Sequence, residues 1–285
     1  MNIKHFVFSY TNILKREIYR KRYFSFCKKI INIFYKLITN LLKKKIGLIV
    51  NLDKKKDSKY FNSSLSELFK NFNCDKGYSM KIEGNKILKT HNYTPLYEKY
   101  FKIFRDKKIK ILELGSHEGK GIASFYYFFP NAHLIGANIN PFQMKYYSNR
   151  IEEIFIDVSS KKILQNFCNY IDISFDLIID DASHNLRDIL ITLPIVFKKL
   201  KSGGYYVIED VNQFEVFKNL NPSNEKLTPL KILKLIQRNE KFNSPFLSEK
   251  DTVYLKENIE DFIFEKGEMQ VSGYNISDIV FLKKK

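Results

Sequence analysis

The sequence predicts an α/β protein: a doubly wound, mostly parallel sheet with an antiparallel C-terminal edge pair, plus a basic helical N-terminal extension. Three observations support this fold class. From Lys108 onwards, short apolar runs alternate with longer amphipathic segments, as strands and helices do in a parallel sheet. Two more apolar runs near the C terminus are separated by a short polar connection, which favours antiparallel pairing. Most of the net positive charge lies in the first 56 residues.

The extension, residues 1–56, is strongly basic. It holds 15 Lys and Arg against two acids, Glu17 and Asp53, so +13 of the net +17 lies there and the remaining residues carry +4. A nucleic-acid enzyme would carry its positive charge around the active-site face, so we expect no nucleic-acid partner. An AT-rich coding sequence, which also enriches Lys, Ile, Asn and Phe, is an alternative source of the basicity.

The extension is also amphipathic. Apolar residues recur at steps of three and four, at Phe26, Ile30, Ile33, Phe34, Leu37, Ile38 and Leu41. Lysines occupy the opposite arc, at Lys28, Lys29, Lys36 and Lys43. Such a helix can lie on an anionic membrane surface, or pack on its own domain or on a second subunit, so peripheral membrane contact and a homo-oligomer both stay open. No secretory signal and no apolar run of about 20 residues is visible, which predicts a cytoplasmic protein, at most at the membrane surface.

Residues 57–106 are expected to form a helical cap, with a turn in DKGYS and a helix beginning near Pro95. The core then occupies residues 107–285. Five strands are predicted in KIKILELGS, AHLIGANI, EEIFIDV, FDLIID and GGYYVIED, and the edge pair in IEDFIFEK and SDIVFLKKK. Helices are predicted in GIASFYYFF, FQMKYYSNRI, NLRDILITLPIVFKKL and LTPLKILKLIQRN.

A glycine turn follows the first core strand, in ILELGSHEG. Glu113, Gly115 and Gly119 lie at the carboxyl end of that strand, where glycines allow close approach of a ligand. An acid there would repel a pyrophosphate but would attract the cationic end of S-adenosylmethionine. Asn138, ending the second strand, is expected to hydrogen-bond the ribose, and Asp157, after the third, to receive the adenine amino group. A plain strand–helix turn, and a helix N-cap for Asp157, are the structural alternatives.

Acids end two consecutive strands, in FDLIIDDASHN and GGYYVIEDVN. One crossover helix joins these strands, so we expect them to be neighbours about 4.8 Å apart, with Asp181, Glu209 and Asp210 converging. Three carboxylates need a cation, and hard oxygen ligands favour Mg²⁺ or a similar divalent ion. His184 is then placed as the base that removes a proton from an acceptor hydroxyl. Taken singly, each of these residues would more often cap a helix or pack.

The stretches KILELGSHEG, DLIIDDASH and GGYYVIED resemble class I S-adenosylmethionine-dependent methyltransferases. More narrowly, they resemble the metal-dependent sugar O-methyltransferases of macrolide biosynthesis, of the macrocin and mycinamicin type, and the related cephalosporin-hydroxylase-like family. CDKGYS and HNYTPLYEKYF look like that group's segment ahead of the core, so the resemblance runs from about Asp75 to the C terminus.

This resemblance implies a Rossmann-like core and the same site. It gives Asp181, Glu209 and Asp210 as Mg²⁺ ligands, His184 as the base, and Glu113, Gly115, Gly119 and Asp157 as the cofactor site. It also implies that Lys76, His91 and Tyr93 belong to a lid near the substrate. Two positions depart from the pattern: Asn138 replaces the usual acid and Ala182 the usual glycine.

We therefore expect an S-adenosylmethionine-dependent, Mg²⁺-assisted O-methyltransferase acting on a hydroxyl of a sugar or glycosylated small molecule. One alternative is a cephalosporin-hydroxylase-like or other Rossmann enzyme, such as a dehydrogenase. Another is a non-catalytic, membrane-apposed binding protein in which Asn138 marks lost activity and the basic helix is the working part.

Overall fold

A seven-stranded sheet forms the centre of the computed structural model, which describes residues 3–54, 58–82, 84, 86–140 and 142–285. Its strands are β1 (Lys110–Leu114), β2 (His133–Asn138), β3 (Ile151–Phe155), β4 (Phe175–Asp180), β5 (Leu200–Ile208), β6 (Ile259–Lys266) and β7 (Asp278–Lys284). Their order is β6-β7-β5-β4-β1-β2-β3, and β7 alone among them runs antiparallel to its neighbours. The predicted mostly parallel sheet with an antiparallel C-terminal edge pair is confirmed.

The chain changes direction across the sheet at β1. Strands β2 and β3 lie on one side of β1, and β4 and β5 lie on the other. The ends of the central strands are level, since Leu114 pairs with Asp180 and Asp180 with Ile208. In an open α/β sheet, the crevice at the carboxyl ends of the strands beside this reversal is where ligands bind.

Helices cover both faces of the sheet. They are α1 (Ile3–Tyr19), α2 (Tyr23–Lys45), α3 (Leu65–Asn71), α4 (Thr94–Phe101), α5 (Lys120–Phe128), α6 (Lys161–Tyr170), α7 (Leu186–Val196), α8 (Pro229–Gln237) and α9 (Glu249–Asn258). Shorter helical segments are Ser58–Phe61, Lys102–Phe104, Phe197–Lys199, Gln213–Val216 and Lys218–Leu220. Small strand pairs join Val50–Asn51 to Tyr146–Tyr147, Ser79–Lys81 to Ile87–Lys89, and Gln270–Val271 to Tyr274–Asn275. No helix in the described ranges has the length and apolar character needed to cross a membrane.

The strands are buried on both faces, which explains their nearly continuous apolar runs. In β4, Leu177 and Ile179 face α3, α4 and α5, whereas Ile178 faces α6, α7 and α8. Helix α7 is the crossover from β4 to β5. It begins after Asn185, whose side chain accepts a hydrogen bond from the Arg187 amide and so caps the helix next to the strand end.

The N-terminal extension is a helical hairpin whose first helix packs on the core. Helix α1 covers the open edge of the sheet, where the Phe155 amide of β3 donates to Ser9 Oγ at 3.0 Å. His5 lies 2.7 Å from Glu152, and Phe8 stacks on Tyr170 of α6. An unpaired edge strand would be a site of aggregation, and α1 protects this one. The sequence left open whether the extension lies on a membrane, packs on its own domain or packs on a second subunit. Helix α1 packs on its own domain.

Three details differ from the sequence expectations. Residues 142–151 do not form the predicted helix: the amides of Gln143 and Met144 donate to the Glu153 carboxylate, and that of Lys145 donates to the Glu118 carbonyl. Helices α6 and α9 were not predicted. The expected domain boundary at 56–57 falls on residues 55–57, outside the described residues, as does the Phe34 side chain, so the division into 1–56, 57–106 and 107–285 stays a prediction.

Candidate active site

Gly115 sets the end of β1 directly against the end of β4. Its φ of +84° lies in the left-handed region, and a β-carbon there would lie 2.0 Å from the backbone oxygen of Asp181. Only glycine fits at this position, so the turn after β1 packs directly against the backbone of Asp181, a predicted metal ligand. Gly119 also has a positive φ, of +79°, directly before α5, where a β-carbon would press on Met144 at 3.0 Å.

Glu113 is a buried acid with an unsatisfied oxygen. Burial raises the pKa of this carboxyl to about 7, although Lys76, whose Nζ lies 3.4 Å from Oε1, lowers it. Glu113 Oε2 has no hydrogen-bond partner among the described residues. A β-carbon at Gly121 would lie 2.6 Å from Oε1, so this glycine, which the sequence analysis missed, makes room for the carboxylate. A buried acceptor without a donor fits a cationic ligand group.

A cavity of about 550 Å³ opens beside Glu113, within the range of small-molecule sites. Its wall comes from the ends of β1, β2 and β4, the turn after β3, and the segment around Lys76. The lining includes Glu113, Gly115, Asn138, Ile139, Ile156, Val158 and Asp181. Gly119 and Asp157 are not part of this lining, so the structure brings Glu113, Gly115 and Asn138 to the cavity but leaves the other two predicted cofactor residues behind it.

Asn138 and Asp157 already have partners. Asn138 Oδ1 accepts from the His117 amide at 2.7 Å and Nδ2 donates to the His117 carbonyl at 3.2 Å, so the side chain fixes the glycine turn. Asp157 Oδ2 accepts from Arg20 of the extension at 2.8 Å, with Arg16 at 3.6 Å. Asp157 is not the cap of α6, which is Ser160. No feature of the sequence indicated that the extension would reach this acid.

The acids at the ends of β4 and β5 meet around Lys76. The ammonium Nζ lies 2.5 Å from Asp181 Oδ2 and 2.7 Å from Glu209 Oε2. Lys76 is 2% exposed, and despite its burial the surrounding carboxylates hold its pKa well above the usual value. Burial raises the pKa of Glu209, whose other oxygen accepts from the Tyr97 hydroxyl. Adjacent strands thus deliver both acids to one cation, as predicted for the neighbouring strand ends.

Asp181, His184 and Asp210 form a group able to hold a metal ion, since one ligand atom from each lies within 4.8 Å of the others. His184 Nε2 is 3.5 Å from Asp181 Oδ1. His184 and Asp210 both have left-handed backbone conformations, with φ of 51° and 54°. Such conformations cost free energy in non-glycine residues and cluster at functional sites. Glu209, which was predicted as a metal ligand, is not one of these three residues. Its carboxylate oxygens contact Lys76 and Tyr97.

Two residues ahead of the core and one after β5 hold the Asp210 carboxylate in place. Tyr93 donates to Asp210 Oδ1 at 2.5 Å, Gln213 donates to Oδ2 at 2.9 Å, and His91 Nδ1 lies 3.0 Å from Oδ1. Burial would raise the pKa of Asp210, but the hydrogen bond and charge of His91 hold it below its usual value. Lys76, His91 and Tyr93, expected in a lid, are all buried. Each contacts at least one of the acids, and their place in a lid near the substrate stays a prediction.

Sequence reasoning missed Tyr97 and Gln213 as site residues. Tyr97 belongs to the apolar face of α4, and nothing in its spacing distinguishes a core tyrosine from one that donates to Glu209. Gln213 lies three residues after Asp210, and that spacing was the available signal.

The site as a whole is an acid-rich pocket with one fixed cation. Its carboxylate oxygens suit Mg²⁺, and the free Glu113 oxygen suits a positively charged organic group. Lys76 contacts both Glu113, at the proposed place of the organic cation, and Asp181, at the proposed metal site. The arrangement can therefore hold a hard divalent ion and a cationic ligand side by side, with His184 at the rim to accept a proton.

Comparisons with known proteins agree on the core. A family profile described as a methyltransferase domain matches residues 105–268. The chain is 27% identical over 128 residues to an 8-demethyl-8-alpha-L-rhamnosyl tetracenomycin-C 2'-O-methyltransferase of Streptomyces olivaceus, which covers 42% of this chain and 33% of that protein. It is 28% identical over 128 residues to the mycinamicin VI 2''-O-methyltransferase of Micromonospora griseorubida, and the matched region covers 42% of this chain and 32% of that protein.

The chain thus spans about a third of the length of these curated relatives. Among solved structures, it is similar to the MycE methyltransferase of mycinamycin biosynthesis in complex with Mg, SAH and mycinamycin VI. The TM-score is 0.57 at 22% identity, over 78% of this chain and 54% of that one. At this identity, the likeness establishes a shared fold.

Proposed function

Because the chain belongs to the methyltransferase domain family, we propose that it transfers the methyl group of S-adenosylmethionine to a hydroxyl of a sugar or glycosylated small molecule, with the assistance of Mg²⁺. The observation that carries the proposal is the convergence of Asp181, His184 and Asp210 beside a cavity that contains the unsatisfied Glu113 oxygen. The acceptor class follows the relatives, which are named for a rhamnosyl tetracenomycin and for mycinamicin VI.

The cofactor would lie in the cavity, with Glu113 accepting a hydrogen bond from its cationic end. Gly115 and Gly121 line the cavity without adding a side chain to it, and Ile139, Ile156 and Val158 offer an apolar wall for a flat base. Enclosure on these sides positions the methyl group and excludes water, which is most of what methyl transfer asks of a protein.

Asp181, Glu209 and Asp210 would hold Mg²⁺, with Tyr93 and His91 keeping Asp210 in place. Bound Mg²⁺ supplies a Lewis acid that makes a nearby hydroxyl easier to deprotonate. The His184 side chain is 21% exposed at the rim of the group, where its ring would take the proton from the acceptor. Lys76 keeps Asp181 and Glu209 together before the ion arrives.

Asp181→Ala tests the assignment. We expect loss of methyl transfer to glycosylated acceptors, with S-adenosylhomocysteine binding mostly kept when measured by calorimetry. The exposed acid Asp172 provides the control, because Asp172→Ala should leave both unchanged. Full activity of the wild type in EDTA would contradict the metal-assisted mechanism. Binding of NAD in place of S-adenosylhomocysteine would favour a dehydrogenase or other Rossmann enzyme.

A cytoplasmic location, a homo-oligomer and peripheral membrane contact through residues 1–56 remain predictions. None of them is needed for the transfer chemistry, which rests on residues of the core and of the segment around Lys76.

A further inference from the structure

Helix α2 exposes an apolar face to solvent. Ile31, Tyr35, Ile38 and Leu42, the exposed stripe, are 72%, 67%, 58% and 54% exposed. Their steps of four, three and four residues place them on one side of the helix, over about 17 Å at 1.5 Å per residue. The opposite side, towards α1 and the core, contains the buried Asn40 and the partly buried Lys29 and Lys36.

The apolar arc predicted for α2 is divided between the core and solvent: Ile33 packs against the cluster of Tyr10 and Ile13, whereas Ile38 is exposed. An ordinary surface helix turns its whole apolar side inwards, so the exposed stripe is apolar surface that the fold of this chain does not use. Leu41, Ile46 and Leu48 extend the exposed apolar surface around the C-terminal end of α2. A contiguous apolar surface of this size on a folded protein marks an interaction site.

Basic residues lie at both ends of the stripe. Arg20, Lys21, Arg22 and Lys28 are exposed near its beginning, and Lys43 and Lys45 near its end. The sequence contains no acid between Glu17 and Asp53. The surface is therefore apolar in the middle and positive at each end, with no exposed carboxylate of α2 to offset it.

The charge distribution decides which partner fits. Two copies of α2 packed through their stripes would set basic ends against basic ends, whether the helices ran parallel or antiparallel, and like charges oppose association. An anionic phospholipid surface satisfies both features, because acyl chains accept the apolar side chains and headgroups attract the lysines. We propose that α2 is an interfacial helix that binds this protein to the surface of an anionic phospholipid bilayer through the exposed stripe.

The proposal is independent of the transfer chemistry, since α2 contributes no residue to the cavity. Flotation of the full chain with phosphatidylcholine vesicles, with and without phosphatidylglycerol, tests it. We expect the protein to float with the anionic vesicles and to remain behind with neutral ones. Lys43→Glu and Lys45→Glu should each weaken binding at least about fivefold, since one lysine near an anionic surface is worth about that factor.

Ile38→Ser tests the apolar part. It should reduce flotation at least tenfold, roughly the transfer free energy of an isoleucine side chain. Ile103→Ser is the matched control, because Ile103 is 59% exposed but lies in the short helical segment Lys102–Phe104, outside the extension. Ile103→Ser should float like the wild type.

Several results would overturn the proposal. No flotation with anionic vesicles excludes it, as does flotation that Ile38→Ser leaves unchanged. A concentration-dependent dimer in sedimentation, abolished by Ile38→Ser and unaffected by vesicles, would assign the stripe to a second copy. Unchanged circular dichroism and melting temperature of the unbound variants serve as the check that the fold is intact.

Discussion

Lys76→Met is expected to destabilise the metal-free protein by about 3–5 kcal/mol, the range for removing one partner of a buried ion pair. The Lys76 ammonium lies 2.5 Å from Asp181 and 2.7 Å from Glu209, and a third carboxylate, Glu113, lies 3.4 Å away. Methionine keeps the unbranched apolar stem but leaves these acids without their shared cation. Because three carboxylates are affected, we expect the upper part of the range.

Urea unfolding at neutral pH, in EDTA and in Mg²⁺, measures this change. An ion bound to the native state adds about 2.7 kcal/mol at 100 times its dissociation constant. In the variant, Mg²⁺ no longer competes with Lys76 for Asp181 and Glu209, so it should stabilise Lys76→Met more than the wild type. The control is Lys99→Met, which removes a surface pair with Glu265 and should change stability little.

Two results would refute this reasoning. A loss of less than about 1 kcal/mol in EDTA would mean that the acids are not held by the lysine, since surface pairs are worth no more. Equal stabilisation of wild type and variant by Mg²⁺ would mean that the ion and Lys76 do not use the same carboxylates.

Three further predictions concern other parts of the site and the extension. Hydrogen bonds from two histidines hold the pKa of Glu152 well below 4.5, so its stabilisation is present above that pH and lost below it; the melting temperature of Glu152→Gln should depend less steeply on acid pH than that of the wild type. Arg20→Ala removes the nearest cation of Asp157, which keeps its contacts with Arg16 and Ser159, and should tighten S-adenosylhomocysteine binding by up to roughly tenfold by calorimetry; an unchanged affinity would mean that Asp157 only anchors the extension. Gly115→Ala should abolish ligand binding, whereas Gly203→Ala, with a positive φ but open space around it, should not.

The sheet could be predicted because its signals are local. Strands buried on both faces read as apolar runs, and glycine or polar residues end them, so β1, β4 and β5 were found from the sequence. The segment 142–151 was predicted wrongly because its helix-like spacing competes with non-local bonds. Its amides are satisfied by Glu153 and Glu118, and Tyr146–Tyr147 pairs with Val50–Asn51. Side chains distant in sequence determined that segment.

The same division holds in the site. Asp181, Glu209 and Asp210 were recognisable because each follows a strand, and adjacent parallel strands end together. The role of Lys76 could not be recognised from the sequence. It depends on a contact between the cap segment and Asp181, about a hundred residues later in the chain. For Asp157, the position directly after β3 could be predicted, but its partner could not. Arg20 belongs to the extension, 137 residues earlier in the chain.

Charge balance explains why this pocket needs cations from outside. Glu113, Asp181, Glu209 and Asp210 can bring four negative charges; Lys76 offsets one of them, and His91 offsets part of the charge of Asp210. Burial without full compensation raises the pKa of Glu113 to about 7. A divalent ion and a sulfonium would add positive charge to this pocket, so each would make ionisation of the shared acids more favourable. We therefore expect binding of the ion and of the cationic cofactor to release protons at neutral pH, measurable as calorimetric heats that change with the ionisation enthalpy of the buffer. Heats that do not depend on the buffer would show that the carboxyls are already ionised and that the imbalance is relieved within the protein.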